Sequence, residues 1–174
     1  ARAFEAFASE QVRGLTEVRD KLAKLDERRR IEAKTQKGGF AFEEIVEAEL
    51  RRLVGLGALS VEAVTRTPGR SKRKVGDLVV RFTRESPFEG SGVVVEIKRD
   101  RSYRERNALD EIEEARQNRA MPVGLVVFAA SHAPPGMDGL RRIGNDVLVV
   151  FDPEAPSTRA YLEAALVLAL ALAA

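Results

Sequence analysis

The segment "GVVVEIKRD", residues 92–100, places a carboxylate and an ammonium group at the end of an apolar run. Three consecutive valines without alternating polar residues are typical of a strand that is buried on both faces. Because side chains alternate along a strand, Glu96 and Lys98 are predicted to project from the same face. These two charges then need partners, since an unpaired charge in a buried strand is costly.

A second carboxylate, Asp77, is predicted to lie beside this pair. The segment "GDLVVRF", residues 76–82, reads as a strand, and a short loop joins it to the strand that carries Glu96. Strands joined in this way pair antiparallel, so the start of one lies near the end of the other. Two neighbouring carboxylates repel each other and favour a cation between them. We therefore expect an oxygen-ligand metal site that holds Mg²⁺, with Mn²⁺ as a substitute.

A metal in such a site activates water and stabilises charge on a phosphodiester. Lys98 would position or deprotonate that water, or neutralise developing charge. Two basic clusters flank the site, "RTPGRSKRK" at residues 66–74 and "KRDRSYRER" at residues 98–106. Basic clusters of this kind contact nucleic-acid phosphates. The residues predicted to do so are Arg70, Lys72, Arg73, Lys74, Arg99 and Arg101.

The elements that position these residues begin after a predicted N-terminal helix over residues 1–36. Within it, apolar residues step by three and four, as in a short coiled-coil seam, at Leu15, Val18, Leu22 and Leu25. Two interpretations are open, a helix packed on its own domain and a segment that forms a homodimer. "KGGF", residues 37–40, is predicted to break this helix, and residues 37–174 are predicted to form the globular domain.

Within residues 37–174 the periodicity predicts the order α, β, β, β, α, β, β, α. A hairpin-rich first half followed by a strand–helix–strand crossover predicts an α/β fold, a mixed sheet with helices on both faces. The last segment, residues 160–174, is apolar but interrupted by Glu163. It is shorter than the ~20 residues of a bilayer span. It is therefore interpreted as a buried or partner-packing helix, and no membrane partner is expected.

Composition narrows the protein class without identifying a partner. The chain has 174 residues, 44% hydrophobic and 32% charged, with a net charge of +2. That composition fits one folded domain with an appendage rather than a disordered chain. The absence of cysteine excludes disulfides and thiolate metal sites. We expect a cytoplasmic, nucleoid-associated protein.

The order Asp77, then Glu96-Ile97-Lys98, resembles the motif of the PD-(D/E)XK, or restriction-endonuclease-like, nuclease superfamily. The resemblance covers roughly residues 37–152, and the predicted order of elements is similar to that superfamily's core. It implies that Asp77 and Glu96 bind the metal and that Lys98 serves the attacking water. Gly76 stands where the motif has proline.

The resemblance also implies further site residues. Many members carry a Glu on the first core helix, which is Glu43 or Glu44 here, and the "G-x-x-F-E" spacing favours Glu43 as a metal ligand. Some place a Gln or Lys on the helix after the E-x-K strand, where this chain has Gln117. A long N-terminal helix before a "KG…E" helix resembles the RmuC-like DNA recombination proteins. The implied activity is a Mg²⁺-dependent deoxyribonuclease of repair, recombination or restriction.

Two other functions stay open on the sequence. The same fold serves non-catalytic DNA-binding and scaffold proteins, since function does not follow from fold. Alternatively, the N-terminal helix makes the chain a coiled-coil assembly module that has no affinity for DNA. A salt-dependent interaction with a labelled duplex separates the assembly module from the other two functions.

Overall fold

The structure is a computed structural model that describes residues 36–55, 57–99 and 104–174. The helices are α1 (Gln36–Val54), α2 (Glu105–Arg119) and α3 (Pro156–Ala173). The strands are β1 (Leu59–Ala63), β2 (Leu78–Phe82), β3 (Gly92–Lys98), β4 (Val123–Ala129), β5 (Leu140–Ile143) and β6 (Asp146–Phe151). A short 3-10 helix, Ala130–His132, follows β4.

The six strands form one mixed sheet in the order β1-β2-β3-β4-β6-β5. Strands β3, β4 and β6 run parallel to one another in its centre. Strands β1, β2 and β5 pair antiparallel on the two sides. The predicted α/β class, the β2–β3 hairpin and the crossover through α2 are therefore confirmed, and β5 is an additional strand.

Helices cover both faces of the sheet, as predicted, and this explains why the central strands are apolar without alternation. One face packs against α1 and α3, with Val95, Leu125 and Val149 beside Leu50 and Leu166. The opposite face packs against α2, and its buried residues include Val94, Val126, Leu148, Ala108 and Ile112. Every residue of β4 and β6 is buried.

The start of α1 corrects one prediction. Residues 37–40, "KGGF", lie inside α1, which begins at Gln36, and do not break a helix there. A glycine lowers helix stability by about 1 kcal/mol, whereas proline costs about 3 kcal/mol and removes a hydrogen bond. Two glycines therefore weaken the first turn of α1 without preventing it. The predicted helix and coiled-coil seam lie, except for Gln36, outside the described residues.

Helix α3 buries one side against the sheet. Its buried residues are Leu162, Ala165, Leu166, Ala169 and Ala173. The outer side carries the exposed Tyr161 and Val167. By length and composition α3 also meets the requirement for a membrane span, which core helices of soluble proteins meet as well.

Candidate active site

The β2–β3 pairing brings Asp77 to the end of β3. Leu78 pairs with Val95, and the Asp77 backbone N–H donates to the Val95 carbonyl at 2.9 Å. In addition, the Ile97 backbone N–H donates to Asp77 Oδ2 at 2.7 Å. The Asp77 carboxylate is therefore held against the backbone of β3, as the hairpin predicts.

Glu96 is one of the few charged residues in the buried interior. Its side chain is 8% exposed. Glu96 Oε1 accepts a 2.8 Å hydrogen bond from the backbone N–H of Gly76. Gly76 has φ +86°, a conformation that favours glycine, and a Cβ there would overlap the Val94 side chain. The glycine at this position therefore lets the chain approach β3 closely enough to bind Glu96.

Lys98 lies between two carboxylates. Its Nζ is 2.8 Å from Glu96 Oε2 and 2.5 Å from Glu111 Oε2. The Lys98 side chain is 11% exposed, so these ion pairs form with little water around the ammonium group. A buried charge with two opposite charges at hydrogen-bond distance is stabilised in its ionised form and fixed in position.

The pKa of Asp77 is raised from 3.8 to about 6, chiefly by burial and then by the neighbouring negative charge of Glu96. The Ile97 N–H and the Lys98 ammonium lower the pKa but do not cancel these effects. Strongly shifted carboxylates of this kind are frequent at functional sites. Asp77 is therefore a carboxylate whose charged form is disfavoured by its position in the folded protein.

Helix α1 adds a third acidic residue that acts on Asp77. The negative charge of Glu43 contributes to the raised pKa of Asp77. Glu43 is partly buried, whereas its neighbour Glu44 is exposed. The two candidates from the sequence are thus distinguished by position, and Glu43 is the one that acts electrostatically on the site.

A divalent cation at this position would find few protein ligands. Among the described residues Asp77 Oδ2 accepts from Ile97, and Oδ1 accepts no hydrogen bond. Over residues 36–55, 57–99 and 104–174, no three acidic or histidine side chains converge closely enough to hold a metal alone. Mg²⁺ tolerates this, because it commonly takes one or two carboxylates and completes its shell with water and phosphate oxygens.

Gln117 is not brought to this site. It is exposed on α2, and its amide donates to Glu113 Oε1 at 2.7 Å. The α2 residue that reaches the site is Glu111, which is not among the predicted site residues. A helical signal was present, because Glu111 is three residues after buried Ala108 and four before buried Ala115. A glutamate at the spacing of a helix's buried residues is expected to face the sheet on which that helix packs.

Four of the six predicted phosphate-contacting residues lie on one exposed loop before β2. They are Arg70, Lys72, Arg73 and Lys74. Arg99 directly follows β3 and is partly buried. Arg101 lies outside the described residues. The loop continues into Gly76 and Asp77, so its positive charges are close in sequence to the Asp77 carboxylate.

Comparisons with known proteins identify no relative. No protein-family model matches the sequence, and no curated protein or solved structure matches the chain. The residues and the geometry of the site are therefore what bears on the function.

Proposed function

We propose that this protein is a metal-dependent nuclease that hydrolyses DNA phosphodiester bonds. The observation that carries the proposal is the convergence of Asp77, Glu96 and Lys98 at the end of β3, with the pKa of Asp77 raised to about 6. This is the residue set and order on which the resemblance to the restriction-endonuclease-like superfamily rests. The mixed sheet with helices on both faces is compatible with that fold.

Each side chain has a role that follows from its contacts. Asp77 and Glu96 would hold a Mg²⁺ or Mn²⁺ ion, with Glu43 as a more distant negative charge that attracts it. Such an ion supplies a Lewis acid and an activated water. Lys98 stabilises negative charge that develops on the phosphate, because its ammonium group is fixed and poorly hydrated.

A paired ammonium group favours charge stabilisation over proton abstraction as the role of Lys98. Lys98 contacts Glu96 and Glu111 simultaneously. A lysine must lose its proton before it can act as a base, and two adjacent carboxylates favour the protonated form. The water is then deprotonated by another group or by solvent.

A non-catalytic DNA-binding protein on the same fold is the second candidate. One observation favours it, namely that the described residues bring no third ligand to Asp77 and Glu96. In that case the charged residues at the end of β3 serve only to join β2, β3 and α2. Three further expectations remain predictions whichever candidate is correct. They are dimerisation through residues 1–36, membership of the RmuC-like proteins and a nucleoid location.

The test is cleavage of labelled single-stranded, duplex and branched DNA with Mg²⁺ or Mn²⁺. We expect the wild type to cut in the presence of the metal and Asp77→Asn to lose at least about 100-fold of that rate, as loss of an electrostatic catalytic group commonly does. Asp110→Asn is the matched control, since Asp110 is exposed on α2. We expect it to cut like the wild type.

Two results would contradict the nuclease. If the wild type binds DNA but cuts none of the substrates, the binding protein is favoured. If Asp77→Asn cuts as fast as the wild type, the cleavage comes from elsewhere. Cleavage of RNA but not of DNA would support the proposed phosphodiester hydrolysis and would change the proposed substrate from DNA to RNA.

A further inference from the structure

The loop between β1 and β2 carries an unusual excess of positive charge. Residues 66–74 contain five basic side chains and no acidic one, and all five are exposed. They are Arg66, Arg70, Lys72, Arg73 and Lys74. Within the described part of the chain, only Arg73 pairs with a carboxylate, that of Glu114 on α2. The other four form no ion pair with a described residue.

This loop is fixed to α2 by one buried side chain, Asn118, which is 3% exposed. Asn118 Oδ1 accepts hydrogen bonds from the Ser71 backbone N–H at 2.9 Å and the Ser71 hydroxyl at 2.5 Å. Its Nδ2 donates to the Arg73 carbonyl at 3.0 Å, and its own carbonyl accepts from the Arg70 N–H at 2.9 Å. Four hydrogen bonds to one residue therefore define the path of the loop.

Arg119 fixes the ends of the same loop. Its Nε donates to the Val75 carbonyl at 2.7 Å, and its Nη2 donates to the carbonyls of Val64 and Thr67, both at 2.8 Å. A planar guanidinium that donates to three backbone carbonyls leaves the loop ends little freedom. The C-terminal end of α2 thus holds the loop at its middle and at both ends.

Two backbone features show that the conformation of the loop is tightly constrained. A Cβ at Gly69 would overlap the side chain of Asn118, so only glycine allows this approach. Lys72 has φ +59°, a conformation that is uncommon for residues other than glycine, asparagine and aspartate. Strain of this type persists where the surroundings determine the conformation, and it is frequent at binding sites.

We propose that residues 66–74 form a preorganised surface for the phosphates of duplex DNA, and that Asn118 is its positioning residue. Rigid, uncompensated positive charges fit a polyanion, and preorganisation lowers the entropic cost of binding it. Residues 64–76 contain no aromatic side chain on which a base could stack, whereas binding of single strands commonly uses such stacking. Regularly spaced duplex phosphates are therefore the matching ligand.

The choice of DNA as the ligand rests on the proposed function. The loop surface adds where on the protein the DNA would bind. The loop ends at Gly76, whose N–H binds Glu96. The proposed duplex surface and the proposed metal ligand Asp77 therefore lie on one continuous segment of the chain. Asn118 has no role in cleavage itself, because it is buried beneath the loop and its side chain hydrogen-bonds to loop residues among those described.

The experiment measures the affinity of the full chain for a labelled duplex and for the corresponding single strand, in EDTA and at several salt concentrations. Gly69→Ala removes no charge but displaces the loop from Asn118. We expect it to make the negative slope of log K against log salt shallower by more than about 0.9, the value of one phosphate contact. Lys72→Asn should make this slope shallower by about 0.9, since asparagine tolerates the same backbone conformation.

Arg84→Asn is the matched control, because Arg84 is an exposed base on the β2–β3 loop. We expect it to keep the wild-type slope. The positioning role of Asn118 is overturned if folded Gly69→Ala binds the duplex like the wild type. If Gly69→Ala does not fold, a wild-type slope for Lys72→Asn overturns the surface itself. Equal affinity of the wild type for the duplex and the single strand overturns the assignment to duplex.

EDTA separates this inference from the nuclease proposal. Loop-dependent duplex binding by a protein that cuts nothing with Mg²⁺ supports the surface and refutes the nuclease. Metal-dependent cutting that is indifferent to Gly69→Ala and Lys72→Asn refutes the surface and supports the nuclease.

Discussion

Replacing Asp77 by asparagine is expected to stabilise the protein while it disables the proposed activity. The amide of the new side chain keeps a carbonyl oxygen that accepts the hydrogen bond from the Ile97 N–H. The replacement removes the charge that burial and Glu96 disfavour. The folded protein then no longer bears the cost of an ionised carboxylate at this position.

The magnitude follows from the pKa of Asp77, which rises from 3.8 to about 6 on folding. Each pKa unit corresponds to about 1.4 kcal/mol, so ionised Asp77 lowers the free energy of unfolding by ~3 kcal/mol. Between about pH 4 and 6 the folded state binds more protons than the unfolded state, so stability falls as the pH rises. We expect Asp77→Asn and the wild type to be equally stable near about pH 3.5 and to differ by ~3 kcal/mol at about pH 8.

The assay is urea unfolding of both proteins across this pH range, with the difference in free energy taken at each pH. Titration of the carboxylates that do not interact with Asp77 is common to both proteins and cancels in this difference. Asp110→Asn is the control, with an expected difference within about 0.5 kcal/mol for an exposed residue. A difference that does not change with pH, or an Asp77→Asn that is less stable than the wild type at alkaline pH, would refute the electrostatic reasoning.

The remaining predictions concern α2 and its contacts. Glu111→Gln should lower the rate of DNA cleavage more than it raises the KM for DNA, because Lys98 loses one of the two carboxylates that fix it; a change in KM alone would refute this role. Gly124→Ala should destabilise the protein by about 1–3 kcal/mol in urea unfolding, because a Cβ at Gly124 would overlap Ile112 and the Asp146 carboxylate. Unchanged stability of Gly124→Ala would show that α2 can move away from the sheet.

The parts of the fold that the sequence predicts are those specified by local pattern. The valine run of β3 and the short loop before it predict the hairpin, and the hairpin predicts that Asp77 meets Glu96. The missed strand, Leu140–Ile143, has two arginines among four residues and pairs only along one edge of β6. An edge strand of this kind lacks an apolar run, and its pairing depends on a strand that follows it.

The contacts of α2 could not be predicted in the same way. Which α2 side chain reaches Lys98 depends on the rotation and height of the helix on the sheet, and these are determined by packing of residues such as Ile112. The resemblance to known nucleases implies Gln117 as the site residue of α2, whereas the α2 side chain that contacts Lys98 is Glu111. Similarly, the basic loop was predicted from charge, while its attachment to Asn118 follows only from the tertiary fold.

The charges at the end of β3 interact with one another, which explains how the proposed metal site would fold before a cation binds. Glu96 has one oxygen on the Gly76 N–H and the other on the Lys98 ammonium, so its charge is compensated. Burial and the negative charge of Glu96 raise the pKa of Asp77, and its one backbone donor and the charge of Lys98 do not offset this. A divalent cation on the proposed site would compensate Asp77 and compete with Lys98 for Glu96. Glu111 would then remain as the partner that keeps Lys98 in place, so the proposed site would retain its lysine when two carboxylates hold the metal.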